Sequence, residues 1–150
     1  MKGIRVVDMT SALSGPFCTW LLASLGADVI KVENPSGDIV RNTPPFKDDI
    51  GVYFASVNRN KRSIKLDLKS EKGKLVLHKL LATADVFIEN MRPGVRNRLG
   101  CSEATLKTIN PRLITASITG FGQEGSLSDR PAYDIIVQAM SGMMETMHVT

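Results

Sequence analysis

Residues 3–33 read GIRVVDMTSALSGPFCTWLLASLGADVIKVE, and their pattern sets the fold class. Ile4, Val6, Val7 and Met9 form a short apolar run that stops at Thr10 and Ser11, as a strand inside a sheet does. Ser14 is the expected cap of the next helix, and Pro16 suits its first turn, where a missing N–H costs nothing. Trp20, Leu21, Leu22, Leu25 and Ala27 recur at helical spacing, and Gly26 closes the helix. Val29, Ile30 and Val32 make a second strand. Two apolar strands joined by one short helix predict a parallel pair with a right-handed crossover.

In such a sheet, ligands bind outside the carboxyl ends of the strands, which directs attention to residues 10–15 and 33–37. The first turn holds a single glycine, Gly15, whereas a dinucleotide fingerprint needs several so that the backbone can approach a pyrophosphate. Glu33 ends its strand where a ribose-binding acid would stand in a dinucleotide fold, with a solvated strand-end carboxylate as the alternative.

Downstream, the segment NPSGDIVRNTPPFKDDIG at 34–51 carries prolines at 35, 44 and 45, which predict a long irregular loop of functional character. Arg41 is its isolated cation, with a phosphate or carboxylate as candidate partner and simple solvation as the alternative. Tyr53 to Val57 fits one helical turn. In NRNKRSIKLDLKS at 58–70, Ser63, Ile64, Leu66 and Leu68 alternate as a strand does, and Ser70 caps a helix over EKGKLVLHKLLATA. Lys69, just before that cap, can meet an anion together with the free N–H groups of the helix, or can solvate a surface with Lys61, Arg62, Lys65 and Lys72.

Asp85 to Glu89 reads as a buried strand and is followed by NMRPGVRNRLG, where Pro93 and Gly94 open a short helix and Gly100 ends it. Arg92, Arg96 and Arg98 present planar donor forks suited to phosphate or carboxylate oxygens. Ser102 caps a further helix that Pro111 stops, Leu113 to Ile118 is another strand, and GFGQEG forms a mobile lid or turn with no P-loop lysine after it. A last helix starts near Asp134. Ile135, Ile136, Ala139, Met140 and Met143 share one side of it and are expected to pack in the core.

These elements predict an α/β fold, an open, mostly parallel Rossmann-like sheet with helices on both faces, incomplete at the C-terminus where the chain stops at Thr150. With 150 residues, 43% of them apolar, the chain can bury one core. No apolar run approaches the ~18 residues of a membrane span and no signal peptide opens the chain, so no membrane partner and a cytoplasmic location are expected. Cys18 and Cys101 lack paired spacing, and His78 has no second histidine before His148, so neither a disulfide nor a metal is expected. The net charge of +4, with basic residues concentrated between Arg59 and Arg98, suits an anionic ligand but is too small and too interleaved with acids to call for nucleic acid.

Taken together, SGPFCTWLLASLGADVIKVENPSGD, NRNKRSIKLDLKS, ADVFIENMRPGVRNRLG, NPRLITASITGFGQEG and RPAYDIIVQAMSG resemble, in order, the N-terminal portion of the class III coenzyme A-transferase family. That family includes formyl-CoA transferase, carnitine CoA-transferase and alpha-methylacyl-CoA racemase. The resemblance implies that residues 1–150 are the N-terminal part of a large CoA-binding domain, with a second, smaller domain and interlocked ring-shaped homodimers in the complete protein. It implies coenzyme A as ligand, in the form of an acyl-CoA substrate, and a carboxylic acid as the second partner. By residue-wise match it implies contacts to CoA from Leu66, Lys69, Asn90, Met91, Arg92 and Arg98, and a thioester-end position for Tyr133. Leu13 stands where formyl-CoA transferase has glutamine, which weakens formyl or oxalyl specificity. Asn34 replaces a nucleotide-contacting arginine, whose contact Arg41 could supply.

The family's racemases carry histidine where Tyr133 stands. A tyrosine of ordinary pKa near ~10 is a poorer base at neutral pH than histidine near ~6.5, so transfer is favoured over racemisation. The nucleophilic aspartate of the transferases is expected beyond Thr150, so the chain alone is expected to be inactive, and Asp134 is expected to cap the last helix instead. A CoA-ester isomerase of the same family and a non-catalytic nucleotide-binding or oligomerisation module are the alternatives.

Overall fold

The computed structural model describes residues 1–147, so His148 and the chain end at Thr150 lie outside the described residues. Strand β1 (Arg5–Met9), helix α1 (Ser14–Ser24) and strand β2 (Asp28–Glu33) form the expected unit. It is followed by the hairpin β3 (Phe46–Lys47) and β4 (Ile50–Gly51), helix α2 (Val52–Asn58), β5 (Arg62–Lys65), α3 (Glu71–Leu81), β6 (Val86–Glu89), α4 (Val95–Arg98), α5 (Glu103–Ile109), β7 (Ile114–Ser117) and α6 (Asp134–Met140). Five strands make one sheet in the order β5-β2-β1-β6-β7, and every pair is parallel. The expected α/β architecture is present.

The two faces of the sheet are chemically different. Val7, Met9, Val32 and Phe87 point to one side and pack with Leu77 and Leu81 of α3 and Leu106 of α5. Val6, Val29 and Ile88 point to the other and pack with Ala23 of α1 and Ala27. Alternation along each strand places Asp8, Lys31 and Glu33 on that second side too, nearer the carboxyl ends. That face therefore runs from apolar to charged along the strands.

Several local expectations are corrected. Ser14 does not cap α1: Leu13 holds the cap position with no side-chain bond, and Ser14 is the first helical residue. The inner side of α1 consists of Gly15, Pro16, Thr19 and Ala23, small groups that let the helix lie close on the sheet. Its larger residues at i, i+4 spacing, Leu13, Phe17, Leu21 and Leu25, are exposed. Gly26 ends α1 as expected, in the left-handed region at φ 95°, with the Gly26 and Ala27 N–H groups bonded to the Ala23 and Leu22 carbonyls. The proline-rich segment is more ordered than expected, with a 3-10 turn at Ile39–Asn42 and the β3–β4 hairpin. Helix α2 is longer than one turn. Strand β5 ends at Lys65, so Leu66 and Leu68 pack against the core from the loop beyond it.

Ser70 and Ser102 do cap their helices, accepting from the Gly73 and Thr105 N–H groups at 3.1 and 3.2 Å. Asp134 is not the cap of α6. Tyr133 occupies that position, and Asp134 is the first helical residue, accepting a bond from Gln138. The methionines of this region are not core: Met140, Met143 and Met144 are exposed, as are Ile135, Ile136 and Val137. Cys101 lies in the loop between α4 and α5 and is fully buried, and burial pushes its thiol up to about 11.

Two outcomes are expected. The exposed apolar sides of α1 and α6 make the isolated chain self-associate with rising concentration; a monodisperse monomer in light scattering would contradict this. Alanine at Gly73 would ordinarily favour a helix by about 1 kcal/mol. Here its Cβ would lie 2.0 Å from the Asp67 carbonyl oxygen, so Gly73→Ala lowers stability in urea unfolding. A gain would show that the 67–70 turn yields freely.

Candidate functional site

From β1 the chain moves through β2 to β5 on one side of the sheet and then returns to place β6 and β7 on the other. The order reverses at β1, so a crevice opens outside the carboxyl ends of β1 and β6. A cavity of about 1190 Å³ lies there, walled by residues 10–12 after β1, 34–39 after β2, 66–69 after β5, and 90 and 91 after β6, with Tyr133 at its edge. Apolar Met9, Val32, Leu66 and Leu68 line it together with Ser11, Asn34 and Asn90, the Lys69 cation and the carboxylates of Glu33, Asp38 and Asp67. An apolar depression with a few polar groups in its lining is the common form of a small-molecule site.

Buried charges hold these walls. The side chain of Lys31 is 1% exposed, and its ammonium lies 2.8 Å from the Asp38 carboxylate and donates to the Thr10 carbonyl at 2.8 Å. Asp8, also buried, accepts from the Thr10 N–H at 2.9 Å, from the Thr10 hydroxyl, from the Thr19 hydroxyl at 2.6 Å and from Lys61 at 3.1 Å. Lys61 in addition donates to the Pro16 carbonyl and the Asn58 side chain, each at 2.8 Å. Burial pushes the Lys61 ammonium down to about 8 despite the attraction of Asp8. Lys61 thus belongs to the interior, although Arg62 and Lys65 beside it are exposed.

Glu33 is buried, so a solvated strand-end carboxylate is the wrong description. Burial by itself would raise its carboxyl. The Arg41 fork, with Nε and Nη2 each at 2.6 Å, the Ser63 hydroxyl and the Asp38 N–H instead hold it down at about 2. Glu89 at the end of β6 accepts from the Met91 N–H at 2.7 Å and from the Ser117 hydroxyl. It thereby shapes the turn that carries Asn90 and Met91.

Of the residues singled out from the sequence, Leu66, Lys69, Asn90, Met91 and Tyr133 line this one cavity. Arg92 and Arg98 are exposed on the segment that follows β6 and do not line it. Arg41 finds its carboxylate in Glu33, and its guanidinium lies 3.8 Å from the centre of the Phe54 ring. His78 is a boundary residue, bonded through Nε2 to the Gly100 carbonyl oxygen at 2.9 Å. The roles of Asp8, Lys31 and Asp38 escaped the sequence reading. The available signal was a lysine between Ile30 and Val32, a charge inside an otherwise apolar strand.

A sequence model described as CoA-transferase family III matches residues 1–149. The chain is 51% identical over 143 residues to the acetyl-CoA:oxalate CoA-transferase of Acetobacter aceti, covering 95% of this chain and 37% of that protein. It is 45% identical over 154 residues to the succinyl-CoA:mesaconate CoA-transferase of Haloarcula hispanica, covering 97% and 39% respectively. A solved CAIB/BAIF family protein from Brucella suis has a TM-score of 0.90 to it at 42% identity, over 95% of this chain and 39% of that one. The chain therefore spans less than two-fifths of the length of these relatives.

The depressed Glu33 carboxyl sets the direction of an acid response. A carboxyl at about 2 when folded and near its ordinary 4.5 when unfolded stabilises the fold above pH 4.5. That contribution is lost as pH falls from 4.5 through 2. Glu33→Gln is therefore less stable than the parent at neutral pH and shows a shallower loss on acidification in urea titrations. A variant with the parent's slope would show that Glu33 does not govern it.

Proposed function

The chain belongs to CoA-transferase family III, and we propose that it is the N-terminal part of a CoA-binding domain whose complete protein moves coenzyme A between an acyl-CoA thioester and a carboxylic acid. The observation that carries this is the meeting of Leu66, Lys69, Asn90, Met91 and Tyr133, from separate loops, on one cavity at the switch point of the sheet. Its apolar lining, with Lys69 in the wall and the exposed Arg92 and Arg98 on the segment after β6, suits a ligand with one anionic, phosphate-bearing end and one uncharged arm. In this reading Lys69, Arg92 and Arg98 take the phosphates of the nucleotide end, and Leu66 and Met91 supply apolar contact. Tyr133 lies toward the thioester end. Arg41, engaged by Glu33, serves the nucleotide only if that pair opens.

The chemistry proposed for the complete protein begins with an aspartate beyond Thr150. Its carboxylate attacks the thioester carbonyl, a C–O bond forms as the C–S bond breaks, and CoA departs as thiolate, leaving a mixed anhydride of the aspartate and the acyl group. The thiolate then attacks the anhydride on the enzyme side, giving an enzyme-bound CoA thioester and releasing the first acid as carboxylate. The acceptor carboxylate takes over the acyl position by the same two steps in reverse. The residues of this chain would bind CoA and keep its thiol end in place throughout, and the chain alone would be inactive. Transfer is preferred to racemisation because tyrosine occupies position 133. Leu13, apolar and half exposed, stands where formyl-CoA transferase has glutamine and so weakens formyl or oxalyl specificity. The complete protein is proposed to be an interlocked homodimer with a second domain.

Calorimetric titration of the chain with CoA tests the binding role, with NAD as control. A charge-assisted hydrogen bond contributes about 1.5–3 kcal/mol, so Arg92→Ala and Lys69→Ala are each expected to weaken CoA binding by about tenfold or more. Absence of CoA binding by the parent chain, or equal binding of NAD, would count against the proposal.

A further inference from the structure

Residues 10–12 wall the cavity, and a row of their backbone groups is held by side chains from other parts of the fold. The Thr10 N–H is taken by Asp8 at 2.9 Å and the Thr10 carbonyl by Lys31 at 2.8 Å. The Ser11 N–H donates to Asn90 Oδ1 at 2.9 Å, and the Ser11 carbonyl accepts from Asn90 Nδ2 at 2.8 Å. The Ala12 N–H donates to Asp38 Oδ1 at 3.2 Å. The segment so held contains a left-handed residue, Ala12 at φ 64°, a conformation that a residue with a Cβ rarely adopts. An outlier of this kind at the wall of a site, fixed from outside, points to a shape that must be kept.

Asn90 stands out among these holders because of where it comes from. Asp8, Lys31 and Asp38 belong to β1, β2 and the loop after β2, whereas Asn90 follows β6, across the crevice. Its carboxamide meets Ser11 as a second peptide group would, donating to the carbonyl and accepting from the N–H. We propose that Asn90 is a positioning residue: it latches the loop after β1 to the loop after β6 and so fixes the width and shape of the cavity, acting on the ligand through Ser11 and Ala12. This rests on the reading that the cavity takes CoA. It differs from a direct CoA contact by the Asn90 side chain, because one nitrogen hydrogen and the oxygen of that side chain are already committed to Ser11.

The test compares amide hydrogen exchange with CoA titration in the same chain, for the parent, Asn90→Ala, Asn90→Asp and Arg92→Ala. Asn90→Ala is expected to speed exchange of the Ser11 N–H by about tenfold, to leave Val7 in β1 and Phe87 in β6 unchanged, and to weaken CoA binding by about tenfold. Asn90→Asp, which keeps the acceptor and loses the donor, is expected to move both readouts in the same direction and covers the case in which the alanine variant folds poorly. Arg92→Ala is expected to weaken CoA binding with Ser11 exchange unaltered. The proposal is overturned if Ser11 exchange is unchanged in both Asn90 variants, if affinity falls without that change, or if exchange rises with affinity intact. A parent chain that binds no CoA would remove the functional reading alone, and Ser11 exchange would still decide whether the latch exists.

Discussion

A lysine in the middle of a parallel sheet needs its counter-charge inside the molecule, and much of this structure follows from that requirement at Lys31. The cost of burying an ammonium without partners is prohibitive, and even a paired buried ion seldom gains much over an apolar substitute. The loop after β2 turns back so that Asp38 reaches Lys31, and the loop after β1 brings in the Thr10 carbonyl. Asp38 then holds the N–H groups of Val40 and Ala12, and its own N–H is held by Glu33. One buried charge thus specifies the path of two loops. Its contribution is to geometry more than to net stability, since loops of this length have no ladder of their own to define them.

The same logic explains why one sheet face changes character along its length. Near the amino ends of the strands, Val6 and Val29 meet the small inner side of α1 and can be covered by close helix packing. Toward the carboxyl ends, Asp8, Lys31 and Glu33 replace them, and Lys61 and Arg41 are drawn in from α2 and its neighbours to balance the charge. Helix α1 covers both halves: Ala23 packs on the apolar one, while Thr19 and the Pro16 carbonyl nearer its start bond Asp8 and Lys61 of the charged one. A crevice at the switch point is where the loops after the strands diverge, and the buried charges turn that divergence into a wall of fixed shape.

The five strands of the main sheet, its parallel character and several helix ends were legible from local signals: short apolar runs, Ser70 and Ser102 ahead of their helices, and Gly26 after α1. The inner face of α1 was not. Periodicity shows that a helix has an apolar side but not which neighbour it faces, and here the large residues Leu13, Phe17, Leu21 and Leu25 point away from the sheet while Gly15, Thr19 and Ala23 point toward it. The apolar side of α6 misled in the same way. Lys69, Asn90 and Met91 could be placed at strand ends by their order in the chain. The pairing of Asn90 with Ser11, or of Lys31 with Asp38, joins segments far apart in sequence and has no local mark.

The single glycine of the first turn shows how this sheet differs physically from a dinucleotide-binding one. A Cβ on Gly15 would lie 2.2 Å from that of Thr10, so this glycine serves the close approach of helix to strand and does not open the backbone to a ligand. The N–H groups of residues 10–12 are turned to Asp8, Asn90 and Asp38 and are not offered to an anion. A phosphate at this crevice would therefore have to be met by side-chain cations farther out, such as the exposed Lys69 and Arg92 on the loops after β5 and β6 and Arg98 at the end of α4. In the proposed reading this leaves the first turn to the uncharged end of the ligand, where rigidity would be worth more than donor groups, because a reacting end has to be held in one position while charge is handled elsewhere.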